Sequence, residues 1–111
     1  LRLQFGSDAP VETINPIYGI HAAVTRQTVT GEPQGGWFPE QQLSLEDSIS
    51  GFTAAAAWST RRENKLGSIE PGKWADLTIY GQDLFHLPPE NWPDVETEMT
   101  VVGGEVVYSG A

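Results

Sequence analysis

The sequence contains no cysteine among its 111 residues. Disulfide bonds, thiolate catalysis and cysteine-based zinc sites are therefore excluded. There are only two histidines, His21 and His86, so a multi-histidine metal site built by this chain alone is not expected. No apolar run approaches the ~20 residues that a membrane-spanning helix requires. We therefore expect no membrane partner and no metal site made by this chain alone.

Basic residues are also scarce. Lys and Arg number 6 against 15 Asp and Glu, which gives a net charge of −9. This balance argues against nucleic-acid partners and against anionic membrane surfaces, because both require cationic patches. No Lys or Arg follows Lys73, although seven acidic residues do. Such a stretch is typical of a solvated acidic face. The alternative is a cation-binding surface, whose oxygen ligands would favour Ca²⁺ or Mg²⁺, although no EF-hand spacing is present.

The first part of the chain predicts a short strand and then a helix. Residues 2–5 have the pattern of a strand. Asn15-Pro16 combines a good N-cap with a residue that suits the first helical turn. Apolar residues at helical spacing continue this helix to about residue 26 or 27.

The middle of the chain predicts a long loop and a second helix. Residues 28–42 are rich in Gly and Pro, and long loops are often functional. Trp37 and Phe38 are expected to anchor this loop on the core, with a ligand or partner contact as the alternative. Ser44 is an N-cap candidate with Asp47 in the capping-box position. One continuous helix should follow, with Arg61, Arg62 and Lys65 near its end and with this apolar stripe: Leu45, Ile49, Phe52 and Ala56.

The last part of the chain predicts antiparallel strands. Pro71-Gly72 fits a type II turn, since Pro fixes φ and Gly accepts a positive φ. Residues 75–80 form a strand, and residues 81–94 form a second loop. Residues 98–102 and 105–108 are β-branched runs joined by Gly103-Gly104, which is a strong hairpin pattern. Three strands make a small sheet whose edges need cover, so we expect self-association through exposed strand edges.

Several segments resemble the amidohydrolase superfamily. Residues 67–77, GSIEPGKWADL, resemble a segment of that superfamily, and residues 100–108, TVVGGEVVY, resemble its closing hairpin. Residues 6–10, GSDAP, resemble the sequence that follows the eighth barrel strand in the branch that hydrolyses exocyclic amide and N-acyl bonds. Residues 44–57 resemble a helix of that branch, although Ala55 stands where Asn is common. Some members carry a regulatory label, such as regulators of exoenzyme production.

The resemblance implies an architecture of α/β class. The parent would be a (β/α)8 barrel with a small β-domain built from both chain ends. Residues 1–66 would be the end of the barrel, with the eighth strand and its helices, and residues 67–111 would be the last strands of the β-domain. A full barrel takes about 250 residues, so a chain of this length is expected to be a C-terminal fragment. Barrel active sites lie at the carboxyl ends of the strands.

The resemblance also implies a chemistry. Asp8 matches the carboxylate that binds or adjoins the metal and takes a proton from the attacking water. The parent would be a metal-dependent hydrolase of non-peptide amides of small molecules. Its divalent metal would be zinc, and this chain alone would be inactive because the other ligands are absent. His21 and His86 match no family ligand and are expected to be structural or exposed. Glu12 could line a substrate pocket.

Two other interpretations remain open at the level of sequence. The chain could be an acidic, non-catalytic regulatory or interaction module. It could also be a small domain that binds a cation through its acidic last third. A cytoplasmic location is expected, since no signal peptide is visible.

Overall fold

The computed structural model describes residues 2–110 and places three α-helices before a three-stranded antiparallel sheet. Helix α1 spans Pro16–Thr25, α2 spans Leu45–Phe52 and α3 spans Ala54–Ser59. Strand β1 spans Leu77–Tyr80, β2 spans Thr97–Val102 and β3 spans Glu105–Ser109. Three 3₁₀ helices, Pro39–Gln41, Leu84–His86 and Pro89–Asp94, lie in the connections. Within the described residues, no helix is long and apolar enough to cross a membrane.

Helix α1 begins and ends as local chemistry requires. The Asn15 side chain accepts a hydrogen bond from the Ile17 amide at 3.0 Å, and Pro16 occupies the first helical position. Arg26 caps the other end with φ of 57°, and its amide donates to the Ala22 carbonyl. The predicted bounds of this helix are therefore confirmed to within one residue or two.

The predicted second helix is divided in two. Ser44 caps α2 as expected, with its Oγ accepting from the Asp47 amide at 3.0 Å. At Thr53 the backbone leaves helical geometry, with φ −122° and ψ −89°. The Thr53 hydroxyl donates to the Ile49 carbonyl at 2.8 Å, a contact that bends helices. The break also changes the buried face, because Ala55 and Ala57 are buried in α3 rather than Ala56.

The sheet has the order β1-β2-β3. Gly103 and Gly104 have φ of 59° and 86°. A two-residue hairpin turn of this type requires positive φ at both positions, so the predicted hairpin is confirmed. The Asp76 carboxylate accepts from the Gly103 amide at 2.7 Å, so it fixes this turn against the start of β1. The predicted turn at residues 70–73 is also present, with the Lys73 amide donating to the Glu70 carbonyl.

The core lies between α1 and the 3₁₀ helix Pro89–Asp94. Its buried members are Ile17, Ile20, Leu84, Trp92 and Val95. The Trp92 indole N–H donates to the Leu87 carbonyl at 3.0 Å, which fixes the ring in the core. The second predicted loop is therefore a structural element whose two 3₁₀ turns supply much of the core.

The predicted strand at residues 2–5 is wrong. These residues have no regular secondary structure, and they lie against α2, where the Phe5 amide donates to the Gly51 carbonyl at 3.0 Å. A strand needs a neighbouring strand for its amide and carbonyl groups, and in residues 2–110 the three strands pair only with one another. The structure shows a mixed α/β chain with a small antiparallel sheet, and the division into barrel and β-domain stays a prediction.

Candidate functional site

Asp8 lies in the segment between the amino-terminal residues and α1. We name residues 6–15 the Asp8 loop. The Val11 amide donates to the Asp8 carbonyl at 2.8 Å, and the Ser7 hydroxyl donates to the Ile14 carbonyl at 3.3 Å. Asp8 itself has φ of 50°, a conformation that Asp adopts more readily than most residues because of its short polar side chain. The loop is thus a closed turn with Asp8 at its beginning.

Both ends of the Asp8 loop are attached to helices. On one side, Phe5 hydrogen-bonds to the Gly51 carbonyl, and its ring lies 5.5 Å from the Phe52 ring. On the other side, Asn15 caps α1. A Cβ atom added at Gly51 would clash with the Phe5 ring, so the close approach of this segment depends on glycine. The position of Asp8 is therefore set by α1 and α2 together.

The Asp8 carboxylate is open to solvent. It makes no hydrogen bond to any other described residue, so both oxygens are free to accept. Glu12 is also exposed, and Val11 and Ile14 have 76% and 81% of their surface exposed. The loop therefore presents two carboxylates and two large aliphatic side chains to the space around it.

The described residues supply only part of the ligand set that a metal ion needs. Within residues 2–110, no three His, Cys, Asp or Glu side chains come together in a way that could hold a metal. Asp8 fits the role of one oxygen ligand, whereas a catalytic zinc takes three protein ligands and a structural zinc four. Any further ligands would have to come from outside these residues. The acidic stretch after Lys73 is likewise not gathered into a cation site in the described part of the chain.

The two histidines lie in different environments. His21 is buried in α1, and burial lowers the pKa of its imidazole, because the charged form loses its hydration. His86 is exposed, and its Nδ1 lies 2.7 Å from Asp83 Oδ2. This hydrogen bond from His86, together with one from the Phe85 amide, holds the pKa of the Asp83 carboxyl below its ordinary value. His21 is thus structural and His86 exposed, as the sequence predicts.

The rings of Trp37 and Phe38 do not anchor their loop on the core, so that expectation is wrong. Trp37 is 62% exposed and Phe38 50%. The two rings contact each other edge to face at 4.7 Å, and the Arg26 guanidinium lies 5.2 Å from the Trp37 ring centre. The loop is held instead by backbone bonds, such as the one from the Trp37 amide to the Arg26 carbonyl at 2.8 Å. The neighbouring Gly and Pro residues make such backbone anchoring possible without a buried side chain.

A large open groove, which the sequence did not predict, lies between the helices and the sheet. Its volume is about 1090 Å³, and its lining includes Ile20, Phe52, Ala57, Leu66, Leu77 and Tyr80. Burial raises the pKa of the Tyr80 phenol on this side of the sheet. Asp8 does not line the groove. No local sequence pattern could have revealed it, because its walls come from segments far apart in the chain.

Comparison with known proteins gives a consistent result. The model of the amidohydrolase family matches residues 1–108. The Bacillus subtilis protein YtcJ, named as a candidate amidohydrolase, is 34% identical over 93% of this chain and 20% of its own length. The N-substituted formamide deformylase of Arthrobacter pascens is 27% identical over 97% of this chain and 19% of its own length. The chain spans about a fifth of the length of the curated relatives it matches.

A solved structure agrees with the sequence matches. The amidohydrolase from Thermotoga maritima MSB8 superposes with a TM-score of 0.54 at 26% sequence identity. The superposition covers 65% of this chain and 17% of that protein. An imidazolonepropionase of Bacteroides thetaiotaomicron is also 35% identical over 57% of this chain and 15% of its own length. Because the family model matches nearly all of its residues, this chain belongs to the amidohydrolase family.

Proposed function

We propose that the whole protein is a metal-dependent hydrolase of carbon–nitrogen bonds in small non-peptide amides, and that this chain is its C-terminal part. The observation that carries the proposal is the family match over residues 1–108, which includes the Asp8 loop. The open carboxylate of Asp8, fixed between two helices, supports a role for that residue in the reaction.

The names of two relatives support the substrate class. One acts as a deformylase of N-substituted formamides, and others are imidazolonepropionases. A small molecule with a hydrolysable carbon–nitrogen bond fits both names. We extend that substrate class to this protein. We also expect that neither nucleic acid nor a membrane is its partner, since the chain carries a net charge of −9.

Asp8 would act as the general base. One of its carboxylate oxygens accepts a proton from the attacking water as the carbon–oxygen bond forms at the carbonyl. The same oxygen then gives that proton to the leaving nitrogen as the carbon–nitrogen bond breaks, so the products are a carboxylic acid and an amine. An exposed carboxylate without a partner in the described residues is free to make both transfers. A divalent metal such as zinc, when bound, lowers the pKa of water towards about 7.

The architecture belongs to the same proposal. Residues 1–66 would complete a (β/α)8 barrel, and residues 67–111 would complete a β-domain with strands from elsewhere in the polypeptide. The position of β3 at an edge of the sheet supports this arrangement, because an edge strand presents amide and carbonyl groups that can pair with a further strand. We also propose that this chain alone is inactive, that the protein is cytoplasmic, and that uncovered strand edges allow self-association.

The test is hydrolysis by the longer protein that contains this chain, loaded with zinc and offered N-substituted formamides. Asp8→Asn removes the proton acceptor at nearly constant shape, so kcat/KM should fall at least 100-fold, the lower end of general-base contributions. Asp94→Asn is the matched control, since Asp94 is also exposed and lies far along the chain, at the end of a 3₁₀ helix. Equal activity of the two variants would refute the role of Asp8. A longer protein without hydrolytic activity would favour the acidic interaction module instead.

A further inference from the structure

We propose that Phe5 is a positioning residue for Asp8, and that it acts through its contact with Gly51 and Phe52 of α2. This inference rests on the function proposed above, in which Asp8 is the general base. Phe5 lies three residues before Asp8, and both its backbone and its ring are held by α2. We name these interactions of Phe5 with Gly51 and Phe52 the Phe5 contact.

The backbone part of the Phe5 contact exists because α2 ends early. In a continuous helix, the Gly51 carbonyl would accept a hydrogen bond from the Ala55 amide. Helical geometry is lost at Thr53, so this carbonyl is available, and the Phe5 amide donates to it at 3.0 Å. The break in the second helix therefore supplies the acceptor that holds the residue just before the Asp8 loop.

The ring of Phe5 has two neighbours on α2. Its centre lies 5.5 Å from that of the Phe52 ring. Its other neighbour is the backbone of Gly51, where an added Cβ atom would come within 3.0 Å of the ring, closer than real Cβ contacts. Phe52 in turn lies against Gly19 of α1, where an added Cβ atom would be 2.6 Å from its ring. The Phe5 contact is therefore joined to the packing of α1 against α2, and both close approaches require glycine.

A shift of Phe5 is passed on to Asp8 through a short and constrained piece of chain. Only Gly6 and Ser7 lie between them, and the Ser7 hydroxyl donates to the Ile14 carbonyl at 3.3 Å. Asp8 is thus held from both directions, by the Phe5 contact before it and by the α1 cap that follows Ile14. A general base must lie within hydrogen-bond reach of the attacking water, and a displacement of about 1 Å can cost about 100-fold in rate.

The test measures hydrolysis of N-methylformamide by the longer protein loaded with zinc. In Gly51→Ala the Phe5 ring must move by at least 3.4 − 3.0 = 0.4 Å, since ordinary contacts begin at 3.4 Å and this one would be below 3.0 Å. We expect kcat to fall about 10-fold and KM to stay within about twofold, because the change misplaces the base rather than the substrate. Adding Phe5→Leu, which makes room for the methyl group, should restore most of kcat.

Asp8→Asn provides a readout that a purely structural role would not change. Once the base is absent its position no longer matters, so Gly51→Ala should change kcat by less than about twofold in that background. Gly67→Ala is the matched control, because its added Cβ atom would meet Ala57 of α3 at 2.7 Å instead of the Phe5 ring. This control should lower the unfolding midpoint in urea and leave kcat nearly unchanged.

Three outcomes would overturn the inference and leave the proposed function intact. They are an unchanged kcat in Gly51→Ala, the same fold loss with and without Asp8→Asn, and an equal loss of kcat in Gly67→Ala. If Gly51→Ala does not fold, Phe52→Leu removes the ring beside Phe5 and is compared with Asp8→Asn in the same way. No hydrolysis by the longer protein, or full activity in Asp8→Asn, would instead show that the proposed function had failed, and this inference with it.

Discussion

Replacement of Trp92 by alanine should remove much of the stability of this chain. The side chain is only 3% exposed and packs in the cluster that contains Ile17 and Ile20 of α1. Truncation of a buried Trp costs about 3–5 kcal/mol, because apolar contacts are lost and a cavity remains. A domain of this size has about 5–15 kcal/mol in total. Trp92→Ala should therefore leave the chain close to unfolding.

The hydrogen bond of Trp92 can be measured separately. Its indole N–H donates to the Leu87 carbonyl at 3.0 Å. Trp92→Phe keeps an aromatic ring but leaves that carbonyl without its donor, which should cost about 1–3 kcal/mol. The difference between the alanine and phenylalanine variants would then report the packing of the ring.

The assay is urea unfolding followed by circular dichroism, since fluorescence would change with the number of tryptophans. A loss of 3–5 kcal/mol corresponds to a fall in the midpoint of about 2 M urea. Trp37→Ala is the matched control, because Trp37 is 62% exposed, and its loss should stay below about 1 kcal/mol. The reasoning would be refuted if both alanine variants lost the same stability, or if Trp92→Ala lost less than about 1 kcal/mol.

Three further predictions concern single contacts. Ser48→Ala should stabilise the chain by about 1 kcal/mol in the same assay, because the Ser48 hydroxyl is fully buried and has no partner among the described residues. A loss of stability in this variant would contradict the prediction and show that the hydroxyl makes a hydrogen bond. Gly51→Ala should destabilise the chain, because the new methyl group clashes with the Phe5 ring. Overpacking of this kind costs about 1–3 kcal/mol, which exceeds the gain of about 1 kcal/mol in helix propensity. Adding Phe5→Ala should make the alanine at position 51 favourable, and strict additivity of the two changes would contradict the clash. Burial lowers the pKa of His21 from its ordinary 6.5, so the unfolded chain binds the proton more tightly than the folded chain does. The free energy of unfolding should therefore be greatest above pH 6.5. It should fall as the pH drops from 6.5 through the pKa of His21 in the folded chain. His21→Gln should flatten that profile, and a profile that stayed unchanged in this variant would contradict the reasoning.

The bounds of the elements were predictable wherever a local rule decides them. Asn15-Pro16 starts α1 because a side-chain acceptor and a fixed φ act within one turn. Gly103-Gly104 closes the hairpin because glycine reaches positive φ without strain. The family resemblance was also visible in the sequence, since its motifs occur in order along nearly the whole chain, and the match over residues 1–108 confirms it.

The candidate site was predictable only in part. The resemblance pointed to Asp8, whereas the exposure of Val11 and Ile14 could not be seen in the sequence, where both have the character of core residues. The catalytic role of Asp8 stays a prediction. The groove beside the sheet was missed because its lining residues are brought together from both halves of the chain.

The sequence by itself therefore determined the caps, the turns, the antiparallel hairpin, the acidic charge and the family. Tertiary structure decided the rest. Residues 2–5 have strand character, but in the described residues they lie on α2, because a strand forms only where another strand accepts its hydrogen bonds. Trp92 is buried and Trp37 exposed although both follow Pro- or Gly-rich segments, because burial depends on which surfaces meet. Local interactions act over a few residues, whereas burial and pairing depend on partners distant in sequence.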